Sequence, residues 1–135
     1  MSNTDLEELY SLRGRSPTRE EVYAELHRRS EALRSRPDLL VDLPYGATPR
    51  EHIDVFTQQG GAPVFIFVHG GYWRTLEKDI FLAVCAPFAD RGFVAVNVDY
   101  GLRPEFTLPE IVAQVLRAIT FIAATPPAMA DVRTE

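Results

Sequence analysis

The 135-residue chain lacks several features that would assign it quickly to a class of protein. It has a single cysteine, Cys85, which excludes an intramolecular disulfide and with it a disulfide-stabilised secreted scaffold. Basic residues are not in excess: the formal net charge is -5, which gives no reason to expect a nucleic-acid partner. The acidic first residues lack the apolar run of a signal peptide, and no stretch approaches transmembrane length. We therefore expect a cytoplasmic protein with neither a nucleic-acid nor a membrane partner.

Serine is confined to the first part of the chain. The serines are Ser2, Ser11, Ser16, Ser30 and Ser35, and no Gly-x-Ser-x-Gly sequence follows them. That sequence forms the sharp turn on which α/β-hydrolases expose their nucleophile. Cys85 is the other nucleophile by residue type, but it lies mid-helix among apolar residues, which indicates a buried structural thiol. The chain is therefore expected to lack a catalytic nucleophile.

The most informative segment that is present joins an apolar strand to a glycine pair. Residues Val64 to Val68 are all apolar, and His69-Gly70-Gly71-Tyr72-Trp73 follows at once. A strand that is apolar at every position needs cover on both faces and neighbours on both edges, so we expect a central parallel strand.

Gly70 and Gly71 are predicted to contribute backbone N–H groups to an oxyanion hole. Without side chains they can approach a substrate carbonyl closely, although a tight turn alone would also explain the pair. His69 precedes the glycines, whereas the catalytic histidine of such hydrolases comes last along the chain. We expect His69 to stabilise the loop by hydrogen bonding. His27 and His52 are expected at the surface, and no metal site is predicted.

Helical periodicity appears in three segments. The first helix begins at Ser16-Pro17 or at a Thr18–Glu21 capping box, carries Val22, Leu26 and Leu33 on one stripe, and ends near Ser35. The second is expected from Asp79 to Arg91, closed by Gly92, with a kink or an early break at Pro87. The third follows a capping box at Thr107–Glu110, and its apolar positions are Ile111, Val115, Ile119 and Ile122.

The remaining apolar runs predict strands. Leu39 to Leu43 and His52 to Phe56 form an opening hairpin, and Phe93 to Val98 completes a βαβ unit with the strand at residues 64–68. Asp99 and Tyr100 end that last strand at the edge where α/β sites form, and we expect them to shape the pocket. The fold class is α/β, a three-layer sandwich with a mostly parallel sheet. Its single domain consists of a helical extension (1–38), the sheet with its crossover helices (39–124) and a frayed tail (125–135).

Together, several segments resemble the arylformamidase (kynurenine formamidase-like) branch of the α/β-hydrolase family. The resemblance rests on residues 69–73, on Asn97-Val98-Asp99-Tyr100, on Pro104-Glu105 and on the helix start at Leu108-Pro109-Glu110. It implies hydrolysis of a small aromatic amide or ester, such as N-formylkynurenine, by a serine nucleophile without a cofactor. It also implies that Gly70, Gly71 and Tyr72 form the oxyanion loop, and that Tyr72 and Trp73 flank the pocket.

The chain departs from this family after its last helix. In the family, the helix corresponding to Ile111–Ala124 is followed by the strand and turn that carry the nucleophile, whereas Thr125-Pro126-Pro127 follows here. We expect an incomplete domain, whether a fragment, a truncated product or a frameshifted copy, that is inactive alone. The alternatives are a noncatalytic remnant that serves association, and a relative of carboxylesterases or lipases. Without a neighbouring strand, residues 64–68 would present a bare apolar edge and favour dimerisation or aggregation.

Overall fold

A computed structural model describes residues 2–11 and 18–125 of the chain. Its elements, in chain order, are α1 (Asn3–Tyr10), α2 (Arg19–Leu33), β1 (Leu39–Pro44), β2 (His52–Phe56), β3 (Val64–Val68), a 3₁₀ helix (Lys78–Phe81), α3 (Leu82–Ala89), β4 (Val94–Val98) and α4 (Leu108–Ala124). Strands alternate with helices after β2, and the predicted α/β sandwich is confirmed. No helix in the described ranges is long and apolar enough to cross a membrane.

The four described strands form one sheet in the order β1-β2-β4-β3. β1 pairs antiparallel with β2, as the predicted hairpin requires, and β2 pairs antiparallel with β4. β3 and β4 are parallel and joined through α3, which confirms the βαβ unit. The described sheet is therefore mixed, and the expectation of a mostly parallel sheet is wrong for this part of the fold. The two opening strands account for both antiparallel pairs.

The position predicted for β3 is also wrong: within the described residues it is an edge strand. Its one neighbour is β4, and its end residues Val64 and Val68 are 43% and 38% exposed. Apolar residues at every position predict a neighbouring strand on each edge of β3. The described residues supply such a strand on one edge, which is β4. Among the strands that the structure describes, none pairs with the other edge of β3, as predicted for a chain without a neighbouring strand.

Each face of the sheet carries its own apolar core. Because side chains alternate along a strand, β2 and β4 supply residues to both faces. The face under α4 contains Tyr45, Ile53, Val55, Val94, Val96, Val98, Ala118 and Ile122. The face under α3 contains Leu39, Phe56, Leu82, Cys85, Ala86, Ala89 and Ala95. Cys85 is fully buried there, and burial raises the pKa of its thiol to about 12, in agreement with the predicted structural role.

α4 begins where the sequence predicts, but it buries a different stripe. Thr107 and Glu110 form the predicted capping box, in which each side chain bonds the other residue's backbone N–H. The buried positions are Ile111, Gln114, Ala118 and Ile122, whereas Ile119 is 41% exposed. Ile119 shares the exposed flank of the helix with Val112 and Leu116. α4 thus has apolar surface well beyond the stripe that the described sheet covers.

α2 packs on the body of the fold through a serine. It begins at Arg19 with Thr18 at the N-cap position, but Thr18 makes no side-chain capping bond; the alternative start at Ser16-Pro17 lies outside the described residues. Of the predicted stripe, Leu26 and Leu33 are half-buried, whereas Val22 is exposed. Ser30 is fully buried: its hydroxyl donates to the Ile80 carbonyl and accepts from the Ala83 N–H.

The second predicted helix is divided rather than kinked. A 3₁₀ turn, Lys78–Phe81, precedes α3, which continues past Pro87 to Ala89. Pro87 has no N–H, so the Ala83 carbonyl loses its helical donor, and α3 ends two residues later. Gly92 follows with φ +88° and donates its N–H to the Ala89 carbonyl, as predicted for a helix-terminating glycine.

Lys78 is a buried cation that joins three segments of the chain. Its ammonium lies 2.6 Å from Asp42 Oδ1, 2.8 Å from Asp54 Oδ1 and 3.0 Å from Asp79 Oδ1. Burial by itself would lower the pKa of Lys78, but these three carboxylates outweigh it and raise the pKa. Asp54 is fully buried, and burial raises the pKa of its carboxyl even with Lys78 beside it. These ion pairs therefore link β1 to β2 and to the 3₁₀ turn.

We expect Lys78→Met to destabilise the fold by about 3 kcal/mol, because the substitution leaves the Asp54 carboxylate buried without a counter-ion. Urea unfolding followed by circular dichroism measures the change. Arg28→Gln is the matched control: Arg28 pairs with Glu25 on the exposed surface of α2, and its loss should not move the midpoint. Equal midpoints for Lys78→Met and wild type would show that the buried pair contributes nothing.

Candidate active-site loop

The loop after β3 has an unusual backbone. Gly71 has φ +118°, and Tyr72 and Trp73 both have φ +57°, so three consecutive residues lie in a region that side-chain-bearing residues seldom adopt. A Cβ at position 71 would come within 2.0 Å of the Thr75 carbonyl oxygen, whereas a Cβ at position 70 would meet nothing within 4 Å. Glycine is therefore required at position 71 for folding, but not at position 70.

Both glycine carbonyls are anchored. The oxygen of Gly70 lies 2.7 Å from His69 Nδ1. The oxygen of Gly71 accepts from the N–H groups of Arg74 and Thr75 and from the Thr75 hydroxyl, each at 3.1 Å. These bonds fix the orientation of the two peptide planes that begin at Gly70 and at Gly71.

The next two amides are consequently directed away from these anchors. The C=O and N–H of a trans peptide point in opposite directions, and the described residues contain one cis bond, at Arg103–Pro104. The N–H groups of Gly71 and Tyr72 therefore point away from the groups that hold the Gly70 and Gly71 oxygens. Within residues 2–11 and 18–125, neither amide donates a loop or turn hydrogen bond. Two adjacent, oriented donors without partners are what an oxyanion hole requires.

His69 lies beneath this loop among polar partners. Its side chain is fully buried, and Nε2 lies 2.8 Å from Asp99 Oδ1. Arg50 donates to the same carboxylate oxygen at 2.8 Å and to the Leu76 carbonyl at 2.7 Å. Burial would raise the pKa of Asp99, but the hydrogen bonds from His69 and Arg50 outweigh it and hold the pKa below its usual range. Asp99 therefore remains a carboxylate under the loop.

Two tyrosines complete the support of the loop. Tyr45 donates its hydroxyl to the Asp99 carbonyl, and Tyr100 donates its hydroxyl to the His69 carbonyl at 2.6 Å. Both hydroxyls are removed from water, and burial raises the pKa of Tyr100. The ends of β3 and β4 are thus joined by side chains as well as by the sheet.

A second loop, after β4, closes on the first. The N–H of Gly101 donates to Gln114 Oε1 at 2.6 Å, which ties this loop to α4. The N–H of Arg103 donates to the Trp73 carbonyl at 2.8 Å. Between the loops is a cavity of about 400 Å³, lined by Tyr72, Trp73, Arg74, Arg103, Pro104 and Leu108. Two aromatic residues and two arginines therefore line one cavity between the loops.

The structure brings most of the predicted site residues together. Gly70, Gly71 and Tyr72 form the loop, His69 supports it, and Tyr72 and Trp73 line the cavity. His27 and His52 lie on other elements, α2 and the start of β2. No cluster of three or more His, Cys, Asp or Glu suited to a metal occurs in the described residues. Ser30 is buried and its hydroxyl is engaged, so it is not a nucleophile for this loop.

Sequence reasoning missed Arg50, Tyr45 and Gln114, and it left Asp99 without a partner. Arg50 lies in the connection between β1 and β2, where no periodicity distinguishes a supporting residue from a solvated one. Gln114 falls on an apolar helix stripe, and a buried polar residue on such a stripe is a signal that could have been used. Arg74 and Arg103 could be recognised only once the two loops were seen to meet.

Comparison with known proteins agrees with this geometry. The BD-FAE family matches residues 53–129, more than half of the chain. The chain belongs to the BD-FAE family. The kynurenine formamidase of Danio rerio is 33% identical over 96 residues, which cover 69% of this chain and 33% of that protein. Esterase LipC of Mycobacterium tuberculosis is 33% identical over 85 residues, covering 59% and 21% of the respective chains.

Solved structures place this BD-FAE chain in the α/β-hydrolase fold. A crystal structure of a candidate thioesterase from Silicibacter sp. TM1040 superposes with a TM-score of 0.67 at 27% identity. The match covers 85% of this chain and 44% of that one. The predicted resemblance to arylformamidases and their α/β-hydrolase relatives is thus confirmed. The chain spans about a third of the length of the kynurenine formamidases that it matches.

We expect Gly71→Ala to destabilise the chain by about 2 kcal/mol, because the new Cβ meets the Thr75 carbonyl in a backbone conformation that alanine seldom adopts. Gly70→Ala is the matched control, since its Cβ would enter open space and should leave the urea midpoint unchanged. Equal midpoints for the two variants would mean that the backbone at Gly71 is not constrained as described.

Proposed function

We propose that this chain carries the oxyanion hole and part of the substrate pocket of a serine hydrolase that cleaves a small aromatic amide or ester. The single observation that carries the proposal is the pair of peptide planes at Gly70 and Gly71. Their oxygens are anchored, and the N–H groups of Gly71 and Tyr72 are left without partners. In acyl transfer, attack on the carbonyl carbon places negative charge on its oxygen, and two such N–H groups stabilise that charge.

The cavity supports an aromatic group on the substrate. Tyr72 and Trp73 line the cavity, and Tyr72 is largely exposed. Arg74 and Arg103 line the same cavity. A kynurenine formamidase and an esterase are both among the relatives, so amide and ester substrates each have support. N-formylkynurenine is the amide that we would test first.

We propose that the described residues supply no nucleophile for this loop. The described serines lie on or beside the N-terminal helices and not at the loop, and Cys85 is buried with a raised pKa. We also propose that the protein is cytoplasmic and needs no cofactor. The oxyanion donors alone cannot form the covalent acyl intermediate.

For the chain alone, we expect no hydrolysis of p-nitrophenyl acetate or N-formylkynurenine above a heat-treated sample, because none of the described residues is placed to act as the nucleophile. A fluorophosphonate probe should also fail to label it. Stoichiometric labelling detected by mass spectrometry would contradict this expectation and would identify the reactive serine.

A chimaera tests the oxyanion role itself. The aligned segment of the Danio rerio kynurenine formamidase is replaced by the matching segment of this chain, so that the relative supplies the remaining two thirds of the fold. We expect the chimaera to hydrolyse N-formylkynurenine, because the loop presents the required donors. A chimaera that is folded by circular dichroism and melts cooperatively, yet turns over neither the amide nor p-nitrophenyl acetate, would overturn the proposal.

We further propose that the chain on its own associates through β3. The free edge of β3 is apolar, and Val64 and Val68 lie on the same face of the sheet as the exposed flank of α4. The other edge strand, β1, is protected: its pairing with β2 shifts register between Leu40 and Leu43, where Asp42 has φ 56°. Bulges and inserted charges discourage edge-to-edge pairing, and β3 has neither.

We expect Val64→Lys to convert a dimer or aggregate into a monomer, because a charge on the free edge opposes pairing with a second copy. Size-exclusion chromatography with light scattering measures the mass. Val41→Lys on β1 is the control, since Val41 is similarly exposed at 41% and should leave the mass unchanged. A monodisperse, cooperatively melting wild-type monomer would refute association through β3.

A further inference from the structure

Both ring nitrogens of His69 face hydrogen-bond acceptors. Nδ1 lies 2.7 Å from the Gly70 carbonyl oxygen, and Nε2 lies 2.8 Å from the Asp99 carboxylate. A neutral imidazole carries one N–H, so one of these two contacts would then bring a nitrogen lone pair against an oxygen lone pair. The doubly protonated ring satisfies both contacts.

The surroundings of His69 also suit a cation. The ring of Tyr100 stacks on the imidazole with centroids 4.4 Å apart, and the ring of Phe81 lies nearly parallel at 5.9 Å. Aromatic faces within about 6 Å attract a cation through their quadrupole. The His69 side chain is fully buried, and a buried charge needs a counter-ion, which Asp99 supplies.

We propose that Asp99 is a positioning residue that holds His69 as a doubly protonated cation, and that this cation fixes and polarises the Gly70–Gly71 peptide. The second part rests on the proposed function, since it concerns the N–H that would face the oxyanion. A hydrogen bond from a cation to the Gly70 oxygen draws electron density from the peptide and makes the Gly71 N–H a stronger donor.

The charge balance of the cluster favours an anion at the loop. Arg50 and His69 carry two positive charges, and both contact the same oxygen of Asp99, which carries one negative charge. The group therefore retains one net positive charge directly behind the loop. An oxyanion formed in front of the loop would balance that charge, whereas an uncharged substrate carbonyl would not. Such a difference between ground and transition states is what accelerates a reaction.

Nuclear magnetic resonance of the full chain with ¹⁵N-labelled histidine tests the proposal without any need for turnover. At pH 7.5 we expect both ring nitrogens of His69 to carry a proton, seen as two protected N–H signals. His27, which is exposed on α2, provides the internal reference. Asp99→Asn should remove one of the two signals, because the amide cannot balance the cation, and should shift the Gly71 amide nitrogen while leaving that of Gly60 in place.

Arg50→Gln is the matched variant, since it removes a competing cation and keeps the carboxylate. Both His69 N–H signals should persist in it. A single His69 N–H in the wild-type chain would overturn the proposal even if the Asp99 variant fails to fold. Two signals that survive in a folded Asp99→Asn chain would also overturn it, because the cation would then not depend on Asp99. Neither result affects the expected activity of the chimaera, so the proposed hydrolase function is tested separately from the His69 cation.

Discussion

The parallel register between β3 and β4 is the constraint on which the candidate site depends. Val68 lies opposite Val98, so the next residues along the two strands, His69 and Asp99, emerge side by side at the same end of the sheet. Their hydrogen bond follows from that placement, and it brings the imidazole under the Gly70 carbonyl. A register shift of one residue would turn these side chains to the opposite face of the sheet and separate them.

Support for the loop comes from every layer around it. Arg50 reaches in from the connection between β1 and β2 and binds both the Asp99 carboxylate and the Leu76 carbonyl, so it spans the two loops. Tyr45 and Tyr100 bond the main chain at the ends of β4 and β3. The strained backbone at residues 71–73 is held by these contacts, because positive φ at three successive residues persists only where the surroundings impose it.

The fold has two kinds of apolar surface: the cores that helices cover, and the strand edge and helix flank that are exposed. The two cores on either face of the sheet are closed by α3 and α4 and by the opening hairpin. In the part of the chain that the structure describes, nothing covers the edge of β3 or the outer flank of α4, although their residues are as apolar as those of a core. The buried charge of Lys78 has a different effect. Its ammonium pairs with carboxylates from three segments, so it holds those segments together.

Local sequence by itself determined the elements and the identity of the loop. Alternating and helical patterns of apolar residues predicted the hairpin, β4 and the start of α4. The apolar strand before Gly70-Gly71 predicted the candidate oxyanion hole. Each of these patterns involves residues that are close together in the sequence, so the sequence alone reveals it. Only the tertiary structure decided that β3 is an edge strand, that Ile119 is exposed, and that Asp99, Arg50 and His69 form one cluster. Arg50 is 49 residues from Asp99 along the chain, and nothing local to either residue encodes that contact; it arises from the pairing order of the strands.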